Sequence, residues 1–193
     1  MAGKLAGFEI LLGVSGGIAA YKAAALCSRL VREGAGVTVA LTEHACRFVA
    51  PLTFSALSGR KVYTDLFADR EVYDTRHLSL TERADLIVVA PATANILAKL
   101  AAGIADDLLS TLLLSAASEV LAAPAMNQRM WQHPATLRNV ELLRQRGIHF
   151  VGPETGALAC GAEGLGRMAE PDAILDRVLA MLADKRPKAA MPQ

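Results

Sequence analysis

The sequence predicts an α/β fold, a doubly wound three-layer sandwich built on a central parallel sheet. Three observations predict it. Apolar residues make up 53% of the 193 positions and charged residues only 20%, a balance that suits strands covered on both faces. Short apolar runs alternate with segments of helical spacing. The runs end in glycine or proline turns, as strands feeding right-handed crossovers do.

The elements follow in order. Phe8 to Val14 is short and apolar and meets Ser15-Gly16-Gly17 at once, so it is a buried strand entering a tight turn. From Ile18 to Arg32, the residues Ile18, Ala19, Lys22, Leu26, Leu30 and Val31 recur at near-helical spacing, and Gly34-Ala35-Gly36 stops the helix. Val37 to Leu41 is the second strand. Asp85 to Ala90 is a buried strand, Ala94 to Ala102 a helix closed by Gly103, and Leu108 to Ala117 another helix. Glu119 to Ala122 is a short strand, Pro134 to Arg146 a helix with Gly147 behind it, and Ile148 to Val151 a strand. Pro171 to Ala183 is the last helix, with proline near its start. One domain over 1–184 is expected, with 185–193 a frayed tail and the polar stretch 60–76 a loop bordering the site. A protein of this length buries roughly two-thirds of its unfolded surface and needs no staples.

Charge narrows the function. Twenty basic residues against nineteen acidic leave +1, with no long single-sign block, which excludes the field of a nucleic-acid binder and points to a small-molecule partner. Cys27, Cys46 and Cys160 are odd in number and lack CxxC spacing, so neither a metal site nor a disulfide framework is indicated. Cys27 and Cys46 fall on apolar helical faces as small hydrophobes. The apolar N-terminal run is broken by Gly13, Gly16 and Gly17 and followed by Lys22, so no leader or anchor is expected and a cytoplasmic place is.

Four segments carry candidate chemistry. In Gly13-Val14-Ser15-Gly16-Gly17-Ile18 the glycines let backbone approach a ligand, and helix N-terminal amides favour phosphate. This is not the dinucleotide fingerprint, because the glycine spacing differs and Thr42, not an acid, ends the second strand. Ala90-Pro91-Ala92-Thr93-Ala94-Asn95 lies at the carboxyl end of a central strand, where open sheets bind ligands, although helix capping alone accounts for Thr93. Ala123-Pro124-Ala125-Met126-Asn127 leads to the one tryptophan, Trp131, in a loop after a strand. Core cover by Met126, Met130 and Trp131 is the plainer alternative. Around Cys160 stand Gly161, Gly164 and Gly166, a spacing without packing rationale that fits a mobile flap delivering a thiol. His77 opens a short periodic stretch and by itself is a surface or capping histidine.

Taken together and in this order, the Gly-Gly-Ile-Ala-Ala-Tyr-Lys turn, the His77 motif, Pro-Ala-Met-Asn and Ala-Cys-Gly with Gly-Arg-Met resemble the flavin-containing cysteine decarboxylases, from about Ile10 to Glu170. The resemblance implies a flavodoxin-like or Rossmann-like domain that binds FMN, assembled as a trimer or dodecamer with the flavin near a subunit interface. It implies FMN contacts from Gly16, Gly17, Ile18, Thr42, Thr93, Ala94, Asn95, Ile96 and Ala125. His77 then matches a base or flavin-side catalyst, Asn127 the amide on the substrate carboxylate, and Cys160 the proton donor. Ala157, Leu158 and Ala159 match the part of the flap that meets substrate. The implied reaction converts 4′-phosphopantothenoylcysteine to 4′-phosphopantetheine on the way to coenzyme A, with flavin oxidising the cysteinyl C–S unit so that the carbanion left by carbon dioxide has an electron sink.

Three related readings stand beside it. A peptidyl-cysteine decarboxylase of the lantibiotic type stops at the oxidised enethiol and has no use for Cys160 as donor. A flavin prenyltransferase is expected to use a different, prenyl-phosphate-binding set of residues. A phosphatase-inhibitory flavoprotein commonly carries a long acidic tail, and none is present here. Many relatives of the decarboxylase are fused to a ligase domain, and the sequence leaves a stand-alone protein and a fused one equally open.

Overall fold

Residues 3–66, 76–157, 161 and 163–188 are described by a computed structural model, with backbone alone for 76–78. Six strands form one sheet: β1 (Glu9–Val14), β2 (Gly36–Leu41), β3 (Val62–Tyr63), β4 (Leu86–Ala92), β5 (Glu119–Pro124) and β6 (His149–Phe150), in the order β3-β2-β1-β4-β5-β6. Every pairing is parallel. The apolar composition is explained by this: all seven residues of β4 are buried, as a central parallel strand covered on both faces requires.

Alternation along β1 sorts side chains into two layers. Ile10, Leu12 and Val14 join the layer made with α1 (Ala20–Arg32), α3 (Pro51–Ser58) and α9 (Pro171–Leu182), through Leu26, Leu30, Phe54, Ile174 and Val178. Leu11 joins the other, with α5 (Ala94–Ala102), α6 (Leu108–Leu114) and α8 (Pro134–Gln145), through Leu97, Leu109, Leu112, Val140 and Leu143. Gly13 faces this second layer, where an added Cβ would stand 2.5 Å from Leu109 Cδ1. Helix α4 (Arg76–Arg83) packs on α6 and β1.

The helix stops expected from glycine are present. Gly34, Gly103 and Gly147 take φ of +89°, +73° and +86°, the left-handed region that ends helices cheaply only with glycine. Helix α6 ends at Leu114, three residues earlier than its apolar pattern suggests, with Ser115 Oγ donating back to the Thr111 carbonyl at 3.0 Å. Asp85 is not a strand residue. Its carboxylate accepts the amides of Glu9 and Lys188, each at 2.7 Å.

Several elements had no prediction. Helices α2 (Glu43–Cys46) and α3 fill the stretch after β2, α3 opening on Pro51 and closing on Gly59 with φ +67°. β3 falls inside the stretch read as a loop, because Val62 and Tyr63 extend the sheet edge against Val39 and Ala40. Residues 185–188 lie along the amino edge of the sheet, Lys188 Nζ donating to the Ala84 carbonyl and to Ser118 Oγ, both at 2.8 Å. Residues 189–193 lie outside the described residues.

Candidate active site

The strand order reverses direction between β1 and β4, and open α/β sheets form a crevice at the carboxyl ends of such strands. Ser15, directly after β1, ties the two strand ends together. Its buried Oγ donates to the Pro91 carbonyl at 2.6 Å, accepts the Thr93 amide at 3.1 Å and lies 3.1 Å from Thr93 Oγ1. Thr93 in turn caps α5 by accepting the Ile96 amide. On the far side of β1, Thr42 closes β2 and caps α2 by accepting the Ala45 amide at 3.2 Å. On the far side of β4, the Ala125 amide donates to the Ala92 carbonyl at 3.1 Å.

These turns line a cavity of about 1130 Å³. That lies at the upper end of the roughly 300–1,000 Å³ usual for ligand pockets. Its floor is the segment from Ser15 to Ala19 before α1. Among the described residues, the amides of Gly16, Gly17, Ile18 and Ala19 donate to no protein acceptor, and four such amides at the start of a thirteen-residue helix form an anion cradle. Gly16 is required there. A Cβ on it would stand 2.2 Å from His44 Cβ and 2.8 Å from the His44 carbonyl carbon.

The opposite wall is the Pro-Ala-Met-Asn loop with α7 (Gln128–Trp131). Asn127 caps α7, its Oδ1 accepting the Met130 amide at 2.9 Å. With the carbonyl oxygen committed, the side-chain NH₂ is what remains for a ligand. The roof is a β-hairpin, β7 (Glu154–Ala157) with β8 (Glu163–Arg167), which joins the cavity through Ala157, Gly166 and Arg167.

The hairpin corrects the reading of its glycines. Gly164 and Gly166 have a packing reason. A Cβ at Gly166 would meet the Met126 carbonyl oxygen at 2.2 Å, and one at Gly164 would meet Gln128 Oε1 at 2.1 Å. The Met126 amide also donates to the Gly166 carbonyl at 3.0 Å. Backbone thus lies on backbone, and the hairpin is docked onto the Pro-Ala-Met-Asn loop.

Three cations at the rim are paired. Lys22 Nζ is 2.8 Å from Glu170 Oε1 and 3.4 Å from the Met168 carbonyl, and its hydrogen bond holds the Glu170 carboxyl below the ordinary range. Lys99 reaches Asp106 and Asp107 at 2.5 and 2.6 Å. Burial raises the Asp107 pKa, but hydrogen bonds from Lys99 and Ser110 outweigh it, so the group sits lower than usual. Arg167 binds Glu154 at 3.2 Å. Burial pushes the Cys27 thiol up to about 11, in keeping with a small hydrophobe rather than a nucleophile.

Similarity to known proteins decides the family. The model of the Flavoprotein family matches residues 2–183. The chain belongs to the flavoprotein family. This flavoprotein is 55% identical, over 167 residues, to the coenzyme A biosynthesis bifunctional protein CoaBC of Bacillus subtilis, an overlap of 86% of this chain and 41% of that protein. It therefore spans about two-fifths of that relative's length. Among solved structures it matches a mutant PPC decarboxylase complexed with pantothenoylaminoethenethiol, with TM-score 0.83 and 31% identity over 92% of this chain and 99% of the other. The FMN-dependent cysteine decarboxylase SpaF matches with TM-score 0.79 and 31% identity over 93% and 99%.

In this flavoprotein the fold brings most of the expected site residues to one place. Gly16, Gly17, Ile18, Thr42, Thr93, Ala94, Asn95, Ile96 and Ala125 all line the cavity, as do Asn127 and Ala157. His77 falls in the first turn of α4, where its side chain lies outside the described residues, as do Leu158, Ala159 and Cys160. Lys22, His44, Lys99, Asp106, Asp107, Arg167 and Glu170 also line the cavity, and the sequence reading gave none of them a place in the site. Asp107 had a readable signal, since an acid before Leu108-Leu109-Ser110 is a helix cap. The Lys22–Glu170 pair spans 148 positions and had none. Among the described residues no group of His, Cys, Asp and Glu is placed to hold a metal, and no helix is long and apolar enough to cross a membrane.

Proposed function

We propose that this flavoprotein is an FMN-dependent decarboxylase that converts 4′-phosphopantothenoylcysteine to 4′-phosphopantetheine in coenzyme A synthesis. The observation that carries this reading is one cavity at the β1/β4 crossover, walled by both an anion cradle and the Asn127 amide. A phosphate-bearing flavin fits the cradle. The amides of residues 16–19 have no protein acceptor among the described residues, and Gly16 and Gly17 present no side chain to a ligand. When bound, FMN supplies a two-electron oxidation of the cysteinyl C–S unit and returns both electrons after carbon dioxide has left.

The protein's own residues do the rest. The Asn127 NH₂ donates to the substrate carboxylate and orients it. His77 is assigned the proton transfer of the oxidative half, and Cys160 the proton that completes the reductive half. Docking of the hairpin over the cavity excludes water from the carbanion that carbon dioxide loss creates. The enzyme works as a homo-oligomer, a trimer or dodecamer, in the cytoplasm, without nucleic-acid or membrane partners. The CoaBC relatives, about twice as long as this protein, support the pathway.

The test is an anaerobic titration of the purified yellow protein with 4′-phosphopantothenoylcysteine, following the flavin band and carbon dioxide. The expected result is phosphopantetheine with the flavin ending oxidised. In Cys160→Ser, carbon dioxide is released but the flavin stays reduced, and in His77→Asn the flavin band does not bleach. A yellow protein that ignores this substrate but decarboxylates a C-terminal cysteinyl peptide would replace the substrate assignment, and a protein that takes up no FMN would end the reading.

A further inference from the structure

The cavity lining holds one group able to carry positive charge that, among the described residues, no carboxylate already neutralises. Lys22 is bound by Glu170, Lys99 by Asp106 and Asp107, and Arg167 by Glu154. The remaining one is His44. Lining carboxylates number four (Glu43, Asp106, Asp107 and Glu170) against the three paired cations Lys22, Lys99 and Arg167. Among the described residues, a phosphate dianion therefore finds no spare cationic charge in the cavity unless His44 supplies it.

The position of His44 fits that task. The carbonyl carbon and Cβ of His44 press on Gly16 so closely that no Cβ is tolerated there. This sets the first turn of α2 directly beside the four unpaired amides of residues 16–19. The turn is held by Thr42, which caps α2 through its hydroxyl at 3.2 Å and whose carbonyl accepts the Cys46 amide at 3.2 Å. His44 is exposed to the cavity, and among the described residues its imidazole has no partner, whereas its neighbour Glu43 faces the same space with the opposite charge.

We propose that His44 is a ligand of the cofactor's phosphate, adding a charge-assisted hydrogen bond to those of the glycine-turn amides, so that the site distinguishes FMN from riboflavin. This rests on the flavin reading above. The full-length protein, stripped of flavin, is titrated with FMN and separately with riboflavin, following the quenching of flavin fluorescence. His44→Ala is expected to weaken FMN by about tenfold or more, the usual worth of a hydrogen bond to a charged group, and to leave riboflavin unchanged. His44→Lys is expected to keep FMN affinity within about threefold, because it restores a cation at the same place. Equal loss for both ligands would make His44 a packing residue, and no loss for either would remove it from the site; each overturns the proposal. A parent protein that binds neither ligand would overturn the flavin reading beneath it, and is told apart from those outcomes by the parent titration alone.

Discussion

Asn127 does two things with one amide. Its Oδ1 caps α7, and under the proposed function its NH₂ holds the substrate carboxylate. The two tasks separate on substitution. Aspartate is as good a cap as asparagine, so Asn127→Asp keeps the melting temperature within about a degree of the parent. It also places a carboxylate against the substrate's own, so the substrate dissociation constant rises by roughly tenfold or more. Calorimetry of melting and binding on one preparation checks both. A fall in stability with unchanged binding would return Asn127 to a purely capping role.

Elements depend on close approaches that residue type alone does not announce. The hairpin β7–β8 sits on the Pro-Ala-Met-Asn loop through Gly164 and Gly166, and the two differ in what opposes them. At Gly166 the obstacle is a backbone carbonyl and φ is +152°, so Gly166→Ala is expected to cost about 2–4 kcal/mol or to undock the hairpin. At Gly164 the obstacle is the end of the Gln128 side chain, which can swing away, so Gly164→Ala is expected to cost under about 1 kcal/mol. Denaturant melts of the two variants measure the order. The α5–α6 connection makes a different prediction. The folded pKa of Asp107 is lowered, so its contribution is complete above the unfolded carboxylate value of about 3.9 and is lost as pH falls through the lower folded value. Asp107→Asn therefore flattens the acid limb of the melting temperature below about pH 4. The effect at neutral pH is under about 1 kcal/mol, because Asp107 is partly solvated and screened.

At the scale of the whole molecule, the order β3-β2-β1-β4-β5-β6 puts one crossover at the centre of the sheet, and two cavity-lining turns leave from it. The site is thus only as rigid as the two core layers beneath it. Leu109 is fully buried and fills the space that Gly13 leaves open, directly below the glycine turn. Leu109→Ala is expected to cost about 2–5 kcal/mol in urea unfolding, through lost burial and the cavity left behind. An unchanged midpoint would mean that α6 collapses onto Gly13 and that the layer is softer than its packing indicates.

The sequence by itself determined the alternation of strands and helices, the ends of α1, α5 and α8 at Gly34, Gly103 and Gly147, and three of the segments that line the cavity, those at Gly16, Thr93 and Asn127. These are legible because hydrophobic period, capping and turn chemistry act within a few residues. It did not reveal α2, β3 or α7, which are too short to display a period. Nor did it reveal that Gly164 and Gly166 are packing residues, since the atoms they avoid belong to Gln128 and Met126, about forty positions earlier. Strand order, the pairing of Lys22 with Glu170, and the seat of His44 against Gly16 were decided by tertiary structure alone. Contacts between distant positions depend on how the layers close, and no local preference encodes that closure.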